Sequence, residues 1–187
     1  MNEDLLKALQ ILRSGGIILY PTDTIWGIGC DATNPEAVEK IYQLKARQKD
    51  KSLIVLLESD YKLQSYVNDI PEVAYQLIEC TDKPLTIVYS NAKNLAPNLL
   101  ANDGSVGIRI VKHRFCEQLL QRFRKPIVST SANISGDPPP KNFQEISQQI
   151  KNGVDYVVQY EQENIGPKQA STILKLDPSG AFTFIRK

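Results

Sequence analysis

Two short polar clusters, Lys45-Ala46-Arg47 and Ser129-Thr130-Ser131-Ala132-Asn133, stand far apart in the chain but carry matching chemistry. Lys45 and Arg47 supply fixed positive charge, while Ser129, Ser131 and Asn133 supply neutral donors and acceptors. Cations beside small hydrogen-bonding groups suit a site that grips an anion, either phosphate or carboxylate. The second cluster contains neither acid nor histidine, so its serines lack an activating base within the motif. Ligand binding fits it better than covalent catalysis. A turn in which Ser and Asn satisfy backbone groups is the competing reading.

Other residues invite the same weighing. In the run KARQKDK, the cations Lys45, Arg47, Lys49 and Lys51 occur at every second position, so an extended loop would place them on one face. Taken alone, the run is better accounted for by a solvated helix end, where cations favour the C-terminal dipole. In Pro21-Thr22-Asp23-Thr24, Thr24 offers a hydroxyl to the polar side chain of an amino-acid ligand and Asp23 offers a partner to a cation. Trp26 reads as a packing residue. Arg109 follows Gly107-Ile108 inside a strand-like run, where a cation must find solvent, a partner or a ligand carboxylate. His113 is the single histidine, which excludes a multi-histidine metal site, and it reads as a surface residue at a helix start.

These groups must be held by elements whose pattern is legible. Asp4 is placed to cap a helix with Leu5, Leu6, Leu9 and Leu12 at helical spacing, stopped by Gly15-Gly16. Ile17–Tyr20 reads as a buried strand, followed by a turn-rich stretch from Pro21. Thr33 and Glu36 fit a capping box, although Asn34 before Pro35 is the better cap, for a helix over 35–44. Strands are expected at 53–57, 85–89, 106–111, 127–129, 156–158, 172–176 and 181–185. The last two form a hairpin through Pro178-Ser179-Gly180. Helices are expected at 71–80, 115–123 and 143–151. Gly136-Asp137-Pro138-Pro139-Pro140 is either a flap or a surface connector. The mixture without strict βαβ repetition predicts an α/β fold, a twisted mixed β-sheet flanked by helices.

Composition narrows the function class. With 187 residues, 42% hydrophobic and 23% charged, the chain fits one domain spanning 1–187. A net charge of +1 argues against a nucleic-acid binder that relies on bulk charge. Cys30, Cys80 and Cys116 are odd in number and lack C-x-x-C spacing, as expected of reduced thiols. The acidic N-terminus resembles no signal peptide, and no apolar run approaches a membrane span, so the expected location is cytoplasmic.

The two clusters also carry a family likeness. The chain resembles the YrdC/TsaC type of threonylcarbamoyl-AMP synthase, whose signature pairs Lys-x-Arg with Ser-x-Asn, here Lys45-Ala46-Arg47 and Ser131-Ala132-Asn133. Matches in order include Tyr20–Thr24, Trp26–Ala32, Leu53-Ile54-Val55, Pro84-Leu85-Thr86, Val106–Arg109 and Ala170–Ile173. The resemblance implies a YrdC-like fold in its short, single-domain form. It also implies a nucleotidyltransferase that makes L-threonylcarbamoyladenylate from L-threonine, bicarbonate and ATP, releasing pyrophosphate. This is the first step toward N6-threonylcarbamoyladenosine in tRNA. It implies Lys45 and Arg47 as catalytic charge stabilisers, and residues in that role are expected to contribute little to stability. It further implies ATP contacts from Arg47, Lys51, Thr86, Ser131, Asn133 and Arg186, and threonine contacts from Thr24, Arg109 and Ser129. Mg²⁺ is expected on the ATP phosphates, with no metal ligands from protein side chains. Expected partners are an accessory contact with tRNA or double-stranded RNA and downstream threonylcarbamoyl-transfer proteins. Two other readings remain: a non-catalytic RNA-binding module, and a paralogue acting on another carbamoyl or nucleotide substrate. Three departures from the family pattern are Leu56, where many members have histidine, Cys80–Pro84, where a Pro-Gly-Pro turn is usual, and the stop just after Phe184-Ile185-Arg186, where the family often continues with Gly-Ala.

Overall fold

The computed structural model describes residues 1–48, 53–164 and 169–187. Helix α1 (Asn2–Arg13) buries Leu5, Ala8, Leu9 and Leu12 along one stripe, as their spacing requires. Asp4 is not its cap. The helix starts at Asn2, and Asp4 sits buried in the first turn, where it accepts hydrogen bonds from the Tyr156 hydroxyl (2.8 Å) and Gln159 N (2.7 Å). A carboxylate that reads as local capping chemistry instead pins the helix to a segment near the other end of the chain.

Strands β1 (Ile18–Tyr20) and β2 (Gly27–Gly29) pair antiparallel. The second strand lies in the stretch that reads as turns, because its sequence has glycines where β-propensity would show. Packing explains them: a Cβ on Gly29 would meet Val128 O at 2.5 Å and Tyr20 Cε1 at 2.7 Å. Helix α2 (Pro35–Leu44) follows, with Asn34 rather than Thr33 as its cap, accepting from Glu36 N (3.0 Å) and Ala37 N (3.2 Å). Then come β3 (Ile54–Leu57), a 3₁₀ turn at Asp60–Ser65, α3 (Glu72–Cys80), β4 (Leu85–Tyr89) and a 3₁₀ turn at Pro97–Leu99. The chain continues through β5 (Val106–Ile110), α4 (Arg114–Phe123), β6 (Ile127–Ser131), α5 (Gln148–Gly153), β7 (Tyr156–Val157), β8 (Thr172–Leu176) and β9 (Phe182–Arg186).

Helix α5 is shorter and later than the expected 143–151. The Ser147 hydroxyl accepts from Ile150 N and starts the helix there, while Phe143 turns away to pack on Trp26 at 4.8 Å between ring centroids. The β8–β9 hairpin forms as expected, its turn held by Asp177 Oδ1, which accepts from Ser179 N (2.7 Å) and Ala181 N (3.2 Å).

Among the described residues the strands form one mixed sheet in the order β7-β1-β2-β6-β3-β5-β4-β8-β9, with β1–β7, β3–β5 and β4–β8 parallel. Alternation along the strands divides the core. Leu19, Val55, Leu57 and Val128 face α2 and α3, whereas Ile18, Tyr20, Leu56 and Ile127 face α1 and α4. Leu56 therefore belongs to the core under α1 and α4. No described helix is long and apolar enough to cross a membrane.

Candidate active site

The Ser129–Asn133 cluster occupies the end of β6 and the loop after it. There Ser131 lies opposite Gly27 of β2, and Ser129 lies opposite Ile54 of β3. A Cβ on Gly27 would come within 3.1 Å of Ser129 Oγ, so glycine keeps the serine hydroxyl uncovered. Beside these strand ends lies a cleft of about 200 Å³, open to solvent. Its lining includes Thr24, Arg47, Arg109, Ser129, Ser131 and Arg186, six of the expected site residues, drawn from separate parts of the chain.

Lys45 reaches this neighbourhood differently. It closes α2 with helical backbone angles, and Ala46 then takes a left-handed φ of 48°, so the alternating face expected for an extended loop does not form over these residues. The Lys45 side chain turns inward and is fully buried. Its ammonium donates to the Ser131 carbonyl at 2.5 Å, to the Asn133 carbonyl and to Asn133 Oδ1 at 3.4 Å. Ser135 N returns a bond to Lys45 O at 2.8 Å. The two sequence clusters are thus joined by a buried cation clasping carbonyl oxygens, and Lys45 is not among the residues lining the cleft. Burial, and then the charge of Arg47, pushes the Lys45 ammonium down to about 8. The accepting carbonyls favour its charged form at neutral pH. Arg47, past the left-handed residue, faces the cleft.

The remaining expected residues divide in the same way. Thr86 is fully buried and bonds the Ser171 hydroxyl at 2.8 Å. Ser171 lines the cleft, and its carbonyl accepts from Arg186 Nε (3.1 Å) and Nη2 (2.8 Å). Thr86 therefore touches the cleft through Ser171, a residue absent from the expected set although it lies in the Ala170–Ile173 match. Asn133 donates through Nδ2 to Ile134 O (3.0 Å) and Asp137 O (2.7 Å), bracing the Gly136–Pro140 connector. Lys49 and Lys51 lie outside the described residues. His113 is not a free surface residue: it precedes α4, is largely covered, and places Nε2 3.3 Å from Glu161 Oε2.

Arg109 is 2% exposed, and its Nη2 lies 3.1 Å from Asp23 Oδ1. Asp23 is also held by Lys112 N, which donates to Oδ2 at 3.3 Å. The Arg109 Nε is buried without a hydrogen-bond partner among the described residues. Asp23 lines a second cavity of about 190 Å³, bounded by Thr81, Lys83 and Pro84, so the Asp23–Arg109 pair stands between the two spaces. Burial and the nearby Arg109 charge lower the Arg186 pKa. Three guanidinium groups thus border one cleft whose described lining holds no carboxylate and no histidine. Such a surface attracts anions and orients them by hydrogen bonds, and it contains no acid–base pair for proton transfer. No group of three metal-ligating side chains occurs among the described residues.

A family model named Sua5/YciO/YrdC and described as "Telomere recombination" matches residues 10–187. A threonylcarbamoyl-AMP synthase of Photobacterium profundum is 35% identical over 162 residues, covering 85% of this chain and 88% of that protein. One from Pseudoalteromonas translucida is 34% identical over 169 residues, covering 89% of each. Among solved structures, P. abyssi Sua5 complexed with L-threonine aligns with a TM-score of 0.82 and 26% identity over 92% of this chain. The chain spans only 50% of that protein's length. E. coli YciO aligns with a TM-score of 0.83 over 100% of this chain and 90% of its own, at an identity of 22% that speaks for the fold alone.

Proposed function

Because the chain belongs to the Sua5/YciO/YrdC family, we propose that it is a threonylcarbamoyl-AMP synthase, a nucleotidyltransferase. It would join L-threonine, bicarbonate and ATP into L-threonylcarbamoyladenylate with release of pyrophosphate. The observation that carries this reading is the cleft that gathers Arg47, Arg109 and Arg186 with the hydroxyls of Thr24, Ser129 and Ser131, with no general base in its described lining. In the reaction the carboxylate of an N-carboxylated threonine attacks the α-phosphate of ATP, so anions must be brought together in line. Neutralising charge and fixing positions are then the main tasks.

Each residue takes a role that its surroundings permit. Arg47 faces the phosphates and stabilises charge as pyrophosphate leaves. Arg109, with a buried Nε to satisfy, takes the threonine carboxylate, and Asp23 holds its guanidinium in place. Thr24 and Ser129 receive the threonine side chain and amine. Ser131 and Arg186 hold the nucleotide, with Thr86 acting behind Ser171 and Asn133 shaping the loop. Lys45 acts as a positioning residue, holding the Ser131 and Asn133 carbonyls that set the β6 terminus. Mg²⁺ would enter on the nucleotide phosphates, since the described lining offers no carboxylate to hold it; when bound it neutralises phosphate charge. The product would pass to proteins that transfer the threonylcarbamoyl group to tRNA, and any contact of this chain with RNA is accessory.

The test is pyrophosphate release from ATP with threonine and bicarbonate omitted in turn. Release that needs both supports the synthase. Equal release without threonine points to a paralogue with another substrate, and tight RNA binding without ATP turnover points to a binding module.

A further inference from the structure

The second cavity, about 190 Å³, takes no part in the proposed reaction. Its wall is apolar: Ile78 of α3, Leu85 of β4 and Ile110 of β5 pack on the main core yet stay only partly buried. Its rim is the stretch Thr81–Pro84, where the chain departs from the family's Pro-Gly-Pro turn. Two bonds hold that rim in place. The Thr81 hydroxyl donates to Lys83 O at 3.2 Å, and Lys112 Nζ donates to Thr81 O at 3.0 Å.

Charge in this cavity is sorted by depth. Asp82, Lys83 and Lys112 are exposed, so water screens both signs at the mouth. Asp23 is the covered one among the charged lining residues, its side chain 7% exposed. A carboxylate offers about four acceptor positions. Here Oδ2 accepts from Lys112 N at 3.3 Å, while Oδ1 lies 3.1 Å from Arg109 Nη2 but makes no hydrogen bond among the described residues. Arg109 therefore balances the charge of Asp23 without using up its lone pairs, and a buried acceptor left unused is unfavourable.

We infer that this cavity is a binding site for a small primary alkylammonium ion, with its nitrogen on the Asp23 carboxylate and its carbon chain on Ile78, Leu85 and Ile110. An ammonium has three donors and no acceptor, which suits the lone pairs that remain on Asp23. The alkyl chain covers the apolar wall. An anion would meet Asp23 at the deep end. An α-amino acid fits poorly for the same reason, since its carboxylate adjoins its ammonium. The cleft on the other side of the Asp23–Arg109 pair has the opposite preference, because it gathers guanidinium groups. Such a site goes beyond the synthase reading and holds whichever anions the cleft takes.

The experiment is an NMR titration of the full chain at neutral pH with 1-pentylamine, 1-pentanol and pentanoate, which share one carbon chain length. Pentylamine should bind at least about tenfold more tightly than pentanol, the scale of one charge-assisted hydrogen bond. Pentanoate should bind more weakly than either. The backbone amides of Ile78, Leu85 and Ile110 should shift on binding. Asp23→Asn should bring pentylamine to the affinity of pentanol, and Ile78→Trp, which fills the cavity, should abolish binding of both. Pentylamine that binds no more tightly than pentanol overturns the inference. So does a preference for pentanoate, or a set of shifts confined to cleft residues such as Ser129 and Ser131. An unchanged pentylamine affinity in Asp23→Asn does the same, and the wild-type comparisons decide the matter even if that variant does not fold. No turnover is measured, so failure of the synthase assay and failure of this titration are separate results.

Discussion

Replacing Asp23 by Asn leaves a side chain of nearly the same shape but removes the negative charge beside Arg109. Both side chains are more than nine-tenths buried, with Nη2 and Oδ1 3.1 Å apart. Breaking a fully buried pair by removing one partner costs roughly 3–5 kcal/mol, because a buried charge is left uncompensated. Here the guanidinium borders an open cleft, so water relieves part of the penalty, and the expected loss is about 2–3 kcal/mol. Arg109→Met should cost a similar amount by stranding Asp23, whose remaining support is the Lys112 amide. The double variant removes both charges together and should be less destabilised than the sum of the singles by about 2 kcal/mol. Urea unfolding of the four proteins, with midpoints and slopes fitted together, measures this coupling. Alongside it, Asp23→Asn should raise the KM for threonine about tenfold while leaving that for ATP within about twofold, since the charge anchors the group assigned to the threonine carboxylate. Strict additivity of the two single variants would refute the coupling. An unchanged threonine KM would refute the positioning role even if stability falls.

Arg47→Ala should lower turnover by about a hundredfold, and Arg47→Lys should not restore it, because an ammonium lacks the bidentate fork; both should unfold within about 1 kcal/mol of wild type in the urea assay. Lys45→Ala differs from the sequence-based expectation: two carbonyls inside the β6 terminus lose their donor, so this variant should lose about 2–4 kcal/mol of stability as well as activity. The Lys45 ammonium is held near 8 in the folded protein against an ordinary value above 10, so the unfolded chain keeps a proton that the folded one releases between those values. Stability from this group therefore rises with pH across that window, and wild type should gain up to roughly 3 kcal/mol relative to Lys45→Met between pH 7 and 10.5 in chemical unfolding. Of the cysteines, Cys80 is exposed whereas Cys30 and Cys116 are buried, and burial raises the Cys30 thiol pKa. A thiol reagent on the native protein should label Cys80 alone, read by peptide mass mapping.

Features whose causes lie within a few residues were legible in the chain itself. Asn34-Pro35 announces the start of α2 because cap and recipient amides are neighbours in sequence. The α1 and α4 faces follow from apolar spacing, and the β8–β9 hairpin from Asp177 and the residues just after it. The chemical character of the site was legible too, since Lys-x-Arg and Ser-x-Asn fix which groups are available wherever they end up. Tertiary structure decided where those groups point. Lys45 meets Ser131 and Asn133 across 86 and 88 positions, and Arg109 meets Asp23 across a gap just as invisible to periodicity. Strand β2 carries glycine at position 29 because Val128 and Tyr20 approach closely there, a requirement set by neighbours it meets only after folding. Asp4 looks like a cap and serves as a long-range acceptor for the same reason. The sequence determined the inventory of charges and hydroxyls, because composition and local capping act through adjacent atoms. Only the packed sheet decided which cation clasps carbonyls and which faces the cleft, because burial and pairing depend on chain segments that come together in folding.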